Sequence, residues 1–243
     1  MSRKIALVTG GNRGIGLETS RQLAAQGVHV IVAARELSKA TETVAELKGS
    51  GGSAEAVQLD VTNAASIARA VDDVNNRHGR LDILINNAGV IRSSPDGVPS
   101  SQPVDDWRWI FETNVFGLVE TTQAFLPLLK KADAARIVNL SSILGSIALH
   151  EQPGSPIHEM KIVPAYSASK SAVNAYTAHL AWELRDTPIK VNAAHPGYVK
   201  TDMNHGGGEI EVSEGARTSV ALALLDANGT SGKLVHFGEV LPW

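Results

Sequence analysis

A strand, a glycine-rich turn and a helix follow one another at the start of the chain. Residues 4–9 are apolar and β-branched, residues 10–16 hold the pattern Gly-x-x-x-Gly-x-Gly, and residues 17–26 have helical character. Glycines in such a turn let the backbone approach a pyrophosphate, whose charge meets free N–H groups and the positive end of the helix dipole. The segment predicts a phosphate-binding turn, and a tight strand-to-helix turn without a ligand is the alternative.

The same alternation of strand and helix continues along the chain without a linker-like break. Strands are predicted at 4–9, 28–33, 54–60, 81–86, 136–141, 189–194 and 233–237, and helices at 17–26, 36–48, 67–78, 105–130, 165–185 and 213–225. Strands that recur between helices with short connections predict an α/β fold: a doubly wound parallel sheet of about seven strands with helices on both faces. We expect one domain, 1–243, with ligands bound at the carboxyl ends of the strands.

Composition narrows the function. The formal net charge is −3 with no basic stripe, which disfavours nucleic acid as a partner. The absence of cysteine excludes disulfides, thiolate metal sites and cysteine nucleophiles. Neither a signal peptide nor a membrane anchor is visible, so a cytoplasmic location is expected. The eight histidines show no metal-binding spacing, so no metal site is predicted.

Polar residues, with glycines and other small residues beside them, collect where the predicted strands end. They are Asp60 after the third strand, Asn86, Asn87, Ala88 and Gly89 after the fourth, Ser141 and Ser142 after the fifth, and Pro196, Gly197 and Thr201 after the sixth. Asn114 lies inside the predicted helix 105–130, where an amide often bends the backbone.

Tyr166 and Lys170 are four residues apart on the predicted helix 165–185, so both project from one face. A tyrosine normally holds its proton to about pH 10. A fixed cation nearby stabilises the phenolate and lowers that pKa, which makes the phenol a usable proton donor or acceptor. Alone the pair is a weak signal, and the preceding motifs give it weight.

The ordered motifs, from the glycine turn through Tyr166 and Lys170 to Pro196 and Gly197, resemble those of the short-chain dehydrogenase/reductase family over nearly the whole chain. Within the family the runs 11–17 and 196–203 look most like those of the carbonyl reductases. The resemblance implies a single-domain Rossmann fold and an enzyme that transfers hydride from NADPH to a ketone or aldehyde, reversibly.

The resemblance also implies the site residues. The catalytic residues would be Asn114, Ser142, Tyr166 and Lys170. The cofactor would be bound by Gly10, Asn12, Arg13, Gly14, Ile15, Gly16, Arg35, Asp60, Val61, Asn86, Ala88, Gly89, Tyr166, Lys170, Pro196, Gly197, Val199 and Thr201. Ser142 would stabilise the carbonyl oxygen, Tyr166 would deliver the proton, Lys170 would lower the phenol pKa and bind the ribose, and Asn114 would hold a water. Some roles have alternatives: Ser142 as a local cap, Asn114 as a helix-bending amide, Asp60 as a helix N-cap, and Asn86 as a tie between strands.

Arg35 favours NADPH over NADH. NAD-selective proteins of this fold usually carry an acidic residue at the end of the second strand, whereas here the strand ends in Ala33 and Ala34, followed by Arg35. Arg13 in the glycine turn adds a second guanidinium, and two guanidiniums suit a 2′-phosphate. Glu36 should point away as the first residue of the next helix.

Two segments are expected to vary the common plan. Residues 198–212 are glycine-rich and form a candidate substrate lid. Residues 143–164 contain an insertion, 149–160, predicted to be an irregular loop over helix 165–185 or the cleft rim, which would favour a monomer; a plain solvated loop is the alternative. Alternative functions are reduction of a specialised carbonyl (steroid, 3-oxoacyl thioester or monoterpenone) or an NADP-binding sensor without catalysis.

Overall fold

One sheet of eight strands organises the computed structural model, which describes residues 3–243. The strands are β1 (Ile5–Thr9), β2 (His29–Ala34), β3 (Ser53–Gln58), β4 (Ile83–Asn86), β5 (Arg136–Leu140), β6 (Lys190–Ala194), β7 (Leu234–His236) and β8 (Glu239–Leu241). Their spatial order is β3-β2-β1-β4-β5-β6-β7-β8, parallel as far as β7. The predicted doubly wound α/β fold is confirmed. The antiparallel strand β8 was not predicted, because three residues carry too little pattern to reveal a strand.

Helices cover both faces of this sheet. They are α1 (Gly14–Ala25), α2 (Leu37–Gly49), α3 (Ala64–His78), α4 (Val104–Phe111), α5 (Gly117–Leu129), α6 (Ile147–Glu151), α7 (Pro164–Glu183), α8 (Val212–Gly215) and α9 (Arg217–Ala223). Helices α3, α5 and α7 contribute to one apolar core, and α1, α2 and α9 contribute to the other. Alternate residues of each strand enter opposite cores, as Leu7 and Val8 of β1 do, so the central strands are apolar on both faces.

Local chemistry explains why the helices begin and end where they do. Asn63 caps α3 by accepting a hydrogen bond from the backbone N–H of Ser66 at 2.8 Å, and Gly79 ends the helix in the left-handed region with φ 70°. Pro164 occupies the first turn of α7, where its missing N–H removes no helical hydrogen bond.

Four helix predictions need correction. Helices α1 and α3 begin at Gly14 and Ala64, each three residues before the predicted start, because the end of the glycine turn is already helical and Asn63 caps α3. The predicted helix 105–130 is α4, a π turn at Glu112–Phe116 and α5, with the N–H of Gly117 donating to the carbonyl of Glu112. The predicted helix 213–225 is divided into α8 and α9 beside Gly215, which packs against Val199.

Within residues 3–243, no helix combines the length and the apolar character that a membrane crossing requires.

Candidate active site

The glycine turn between β1 and α1 has a backbone that side chains would obstruct. Gly10 and Gly14 have φ of 59° and 52°, a region that L-residues with side chains rarely adopt. A Cβ on Gly16 would overlap the carbonyl oxygen of Gly10 and the side-chain nitrogen of Asn87. Arg13 at the N-cap makes no side-chain capping hydrogen bond, so the first N–H groups of α1 stay available. This geometry suits a pyrophosphate at the positive end of the helix.

Thr9 and Asn87 join β1 to the end of β4 beside the turn. The Thr9 hydroxyl accepts hydrogen bonds from the backbone N–H of Asn87 at 2.9 Å and of Ala88 at 3.0 Å. The Asn87 amide donates to the carbonyls of Thr9 at 2.8 Å and Gly10 at 3.2 Å. Asn87 was not among the predicted site residues, although it belongs to the motif Asn86–Gly89. Its place inside that motif was the available signal.

Two cations flank the turn. Arg35 directly follows β2, and Arg13 lies at the N-cap of α1; both side chains are exposed, and neither forms an ion pair with a residue in 3–243. Glu36 is exposed at the N-cap position of α2, one residue beyond Arg35. No acidic side chain stands at the tip of β2, which is the position expected to bind a ribose 2′-hydroxyl.

Asp60 and Val61 lie beyond the end of β3. Asp60 Oδ1 accepts from the N–H of Thr62 at 3.0 Å and from its hydroxyl at 2.8 Å, which forms a local turn. The alternative of Asp60 as the helix N-cap is wrong, because Asn63 caps α3. The Val61 backbone is closely approached by Gly117, where a Cβ would lie 2.7 Å from the Val61 carbonyl oxygen.

Asn86 ties two strands together, as one of its predicted roles requires. Its amide nitrogen donates at 2.8 Å both to Asn139 Oδ1 on β5 and to the hydroxyl of Thr122 on α5. Asn139 then donates to Thr177 on α7 at 2.9 Å, which extends the network. The Asn86 side-chain oxygen is buried and has no hydrogen-bond partner among the described residues.

Tyr166, Lys170 and Ser142 meet at the carboxyl end of β5. The Ser142 hydroxyl lies beside the phenol of Tyr166 and acts to lower its pKa. The ammonium of Lys170 lies 5.5 Å from the centre of the Tyr166 ring and donates to the Leu140 carbonyl at 2.7 Å. Gly145 lets α7 pack closely on the turn after β5, since a Cβ there would lie 2.7 Å from the Lys170 carbonyl carbon.

The two adjacent serines have different partners. Ser141 is buried and donates to Asn174 Oδ1 on α7 at 2.6 Å. Ser142 accepts from the backbone N–H of Leu144 at 3.1 Å and also contacts Tyr166. Ser142 therefore caps local backbone and adjoins the phenol at once, while Ser141 holds α7 against β5.

Burial dominates the electrostatics of the pair. It raises the pKa of Tyr166 to about 12, an effect that the neighbouring Ser142 hydroxyl only partly offsets. Burial also lowers the pKa of Lys170 to about 8. The direction for Tyr166 is opposite to the predicted lowering, because desolvation of the phenolate outweighs the stabilising contacts from the protein.

Asn114 is fully buried in the π turn and binds a neighbouring loop from both ends of its amide. Its oxygen accepts from the N–H of Val90 at 2.8 Å, and its nitrogen donates to the Val90 carbonyl at 2.9 Å and to the Ser169 hydroxyl at 3.0 Å. Gly89 lies alongside, where a Cβ would be 3.8 Å from the Lys170 ammonium nitrogen. Asn114 thus positions the motif after β4 against α7, and it lies where the π turn interrupts the helix.

The segment after β6 returns to the glycine turn. Gly197 has φ 91°, and a Cβ on Gly14 would lie 3.8 Å from the Thr201 methyl group. Residues 198–212 are closed at their base by a bridge between Val199 and Ile210. Their tip holds a short turn in which Asn204 accepts from the Thr201 N–H at 3.1 Å. Their role as a lid stays a prediction.

The residues that follow the insertion contact the cleft rim. The carbonyl of Ile162 accepts from the N–H of Ser94 at 2.8 Å, and Gln102 on the same rim accepts from the N–H of Ala165 at 3.1 Å. Gln102 was missed by the sequence analysis, which had no signal for it.

The insertion is also more ordered than predicted, because its start forms α6, capped by the Ser146 hydroxyl. It leaves Trp182 on the outer face of α7 67 % exposed. The insertion therefore does not cover this part of the outer face, and the monomer stays a prediction.

The family is established by comparison with known proteins. Residues 4–210 match the family described as short chain dehydrogenase. "Short-chain dehydrogenase/reductase 1" of Saponaria officinalis is 36 % identical over 99 % of this chain and 96 % of its own length. The (+)-neomenthol dehydrogenase of Arabidopsis thaliana is 34 % identical over 91 % of this chain and 92 % of its own. The crystal structure of NADPH-bound carbonyl reductase from chicken fatty liver superposes with a TM-score of 0.86 at 31 % identity, covering 100 % of both chains.

The chain belongs to the short-chain dehydrogenase/reductase family, as the resemblance implied. It is an oxidoreductase of the class that reduces carbonyls with NAD(P)H.

Proposed function

We propose that this protein is an NADPH-dependent carbonyl reductase, which converts a ketone or aldehyde to the alcohol reversibly. The observation that carries the proposal is the contact of Ser142 with the Tyr166 phenol, one helical turn from Lys170 and at the same sheet edge as the glycine turn. The relative of known structure was solved with NADPH bound.

The residues present fit the cofactor. Gly16 lets the start of α1 pack closely on Gly10 and Asn87, and the N-terminus of α1 has no side-chain cap, so its free N–H groups suit a pyrophosphate. Arg13 and Arg35 are free of ion pairs within 3–243 and suit a 2′-phosphate, which favours NADPH over NADH. When bound, NADPH supplies the hydride that reduces the carbonyl carbon.

The protein's own side chains handle the charge and the proton. As negative charge grows on the carbonyl oxygen, the Ser142 hydroxyl donates a hydrogen bond to it. Tyr166 then gives its phenolic proton to the same oxygen. A pKa near 12 keeps that phenol protonated at neutral pH, so the residue is ready as an acid in the reductive direction. In the oxidative direction Tyr166 must act as a base, which higher pH favours.

Lys170 and Asn114 support this transfer. The Lys170 ammonium is buried, with the Leu140 carbonyl as its hydrogen-bond acceptor, and it adds positive charge near the phenol and toward a bound ribose. Asn114 holds the loop at Val90, and its proposed further role is to hold a water connected to Lys170.

The substrate is proposed to enter between the rim and the lid. Arg92 stacks on Trp109 with its guanidinium carbon 4.0 Å from the ring centre, and pairs with Asp106 at 2.6 Å. Tyr198 is exposed at the start of 198–212. An aromatic rim and a mobile lid suit a compact apolar ketone. The similarity to a (+)-neomenthol dehydrogenase favours a monoterpenone as the specialised alternative within the same chemistry.

A ketone panel with NADPH oxidation as the readout tests the proposal. Turnover is expected with at least one ketone, and Tyr166→Phe should lower kcat by at least ~100-fold with NADPH affinity nearly unchanged. Tyr176→Phe is the matched control, because this phenol lies on the same helix but contacts Thr122. Retention of more than about a tenth of the rate in Tyr166→Phe would overturn the assignment. NADPH binding without turnover of any carbonyl would indicate the sensor instead.

A further inference from the structure

Three potential metal ligands converge at the amino ends of the strands, on the side of the sheet opposite the glycine turn. His29 is the first residue of β2, Glu55 lies in β3, and His78 is the last residue of α3. One donor atom from each lies within 4.8 Å of the others. The three side chains are 17–22 % exposed, so they are sheltered and still accessible to an ion. The site lies away from the carboxyl ends of the strands, where the catalytic residues are.

His29 points an unsatisfied nitrogen into this cluster. Its Nδ1 is 2.7 Å from the Ser53 hydroxyl oxygen, while its Nε2 is buried without a hydrogen-bond partner among the described residues. The nearest carboxylate oxygen, Glu55 Oε2, is 3.7 Å from that Nε2. When Nδ1–H donates to Ser53, Nε2 carries the lone pair. A histidine that donates from one ring nitrogen and offers the other is the usual arrangement of a metal ligand.

Glu55 lies between the two imidazoles. Its Oε1 is 2.7 Å from His78 Nε2, and its Oε2 faces His29. A tetrahedral zinc ion with bonds of about 2.1 Å separates its donor atoms by about 3.4 Å. The observed separations of 2.7 and 3.7 Å lie on either side of that value. A shift of less than about 1 Å in Glu55 would therefore bring both pairs to ligand geometry.

The charges around the cluster are compatible with a cation. The Glu55 carboxylate lies between the two imidazoles and supplies the acidic ligand of the cluster. Arg77 is the competing cation, 3.5 Å from Glu55 Oε1, and it is itself paired with Asp73. Arg3 adds a weaker positive influence on His29.

We propose that His29, Glu55 and His78 form a binding site for a divalent transition-metal ion of the Zn²⁺ type, with water as the fourth ligand. Two imidazoles and a carboxylate are a donor set that zinc accepts in proteins. The ion would join β2, β3 and the end of α3, so its effect would be on stability and not on the reaction. The spacing of residues along the chain did not reveal this site, because the fold brings together residues that are far apart in sequence.

Zinc binding to the whole, tag-free protein tests the site. After chelator treatment, titration with ZnCl₂ against a chromophoric competitor should show one saturable equivalent. With free Zn²⁺ at about 100 times the Kd, Tm should rise by about 5–10 °C. His29→Gln and His78→Gln should each weaken binding by at least ~100-fold and lose most of that shift. His179→Gln, at an exposed histidine of α7, is the matched control and should bind like the parent protein.

Two further readouts keep the outcome decisive. Co²⁺ should give the intense visible bands of a four-coordinate ion in the parent protein and lose them in Glu55→Gln, which keeps the shape of the side chain. The ketone reductase rate should stay the same with and without Zn²⁺. Failure to bind saturably, or binding unchanged in the His29, His78 and Glu55 variants, would overturn the proposal. If the histidine variants fold poorly without metal, Glu55→Gln and the Co²⁺ spectrum of the parent protein still decide it.

Discussion

Gly145→Ala should lower the reaction rate by displacing the catalytic side chains, although it replaces none of them. An added Cβ would lie 2.7 Å from the Lys170 carbonyl carbon, 2.9 Å from the Lys170 Cβ and 2.9 Å from the Asn174 amide nitrogen. An ordinary carbon contact is about 3.7 Å, so the turn and α7 must separate by about 1 Å. Two of the obstructing atoms belong to the backbone and stem of Lys170, so no flexible side-chain end can simply move aside.

The separation should affect the reaction more than the fold. It moves Ser142, three residues earlier in the same turn, away from Tyr166 and Lys170 on α7. A misplacement of about 1 Å lowers the rate by about 100-fold. Overpacking destabilises by about 1–3 kcal/mol, which lowers Tm by about 2–10 °C in a chain of this size. NADPH affinity should change little, since the glycine turn is untouched.

The rate is measured by steady-state reduction of the best ketone. NADPH affinity is measured by fluorescence titration, and Tm by thermal melting. Gly52→Ala is the matched control, because its Cβ would lie 2.9 Å from the Leu47 carbonyl oxygen, far from the site. It should lose similar stability and keep its rate. The reasoning is refuted if Gly145→Ala keeps kcat within about threefold of the parent protein, or if Gly52→Ala loses as much activity.

Three further outcomes are expected. Because burial lowers the pKa of Lys170 to about 8, the ammonium is lost as pH rises through that value. The kcat/KM for reduction should therefore be level below about pH 7 and fall above about pH 9. A profile that stays level to about pH 10 would contradict this. Arg35→Ala should raise KM for NADPH by at least about tenfold and leave NADH kinetics unchanged; equal efficiency with both cofactors in the parent protein would argue against the 2′-phosphate site. Asn86→Ala leaves the Asn139 oxygen without its donor and should lower Tm by about 2–10 °C, whereas the exposed Asn228→Ala should not; melting curves that coincide would rule out the network's contribution.

The sequence predicted the elements whose pattern is long and regular. The predicted helix 165–185 is α7 at Pro164–Glu183, and the predicted strand 136–141 is β5 at Arg136–Leu140. Both are long enough for hydrophobic periodicity and end signals to agree. The α/β class and the parallel sheet followed from the number and alternation of such elements, and the family followed from the motifs between them.

What escaped prediction depends on contacts between distant segments. The π turn exists because Asn114 reaches Val90, and strand β8 exists because β7 offers it a partner. The direction of the Tyr166 pKa follows from how deeply α7 is packed, which spacing along a helix does not reveal. The cluster of His29, Glu55 and His78 was missed for the same reason, since strand register brings its members together.

The π turn at Glu112–Phe116 is needed to place Asn114 in the site, whereas a helix could form without it. Its hydrogen bond spans five residues where an α-helix spans four, so the helix contains one residue in excess at this point. Deletion of that residue would let α4 and α5 merge into one regular helix. The side chain of Asn114 would then be drawn back into the helical spiral, away from Val90. A single-residue gap here would thus leave a helix in place while dismantling the chemistry, so tolerance of length at this helix is no measure of tolerance in function.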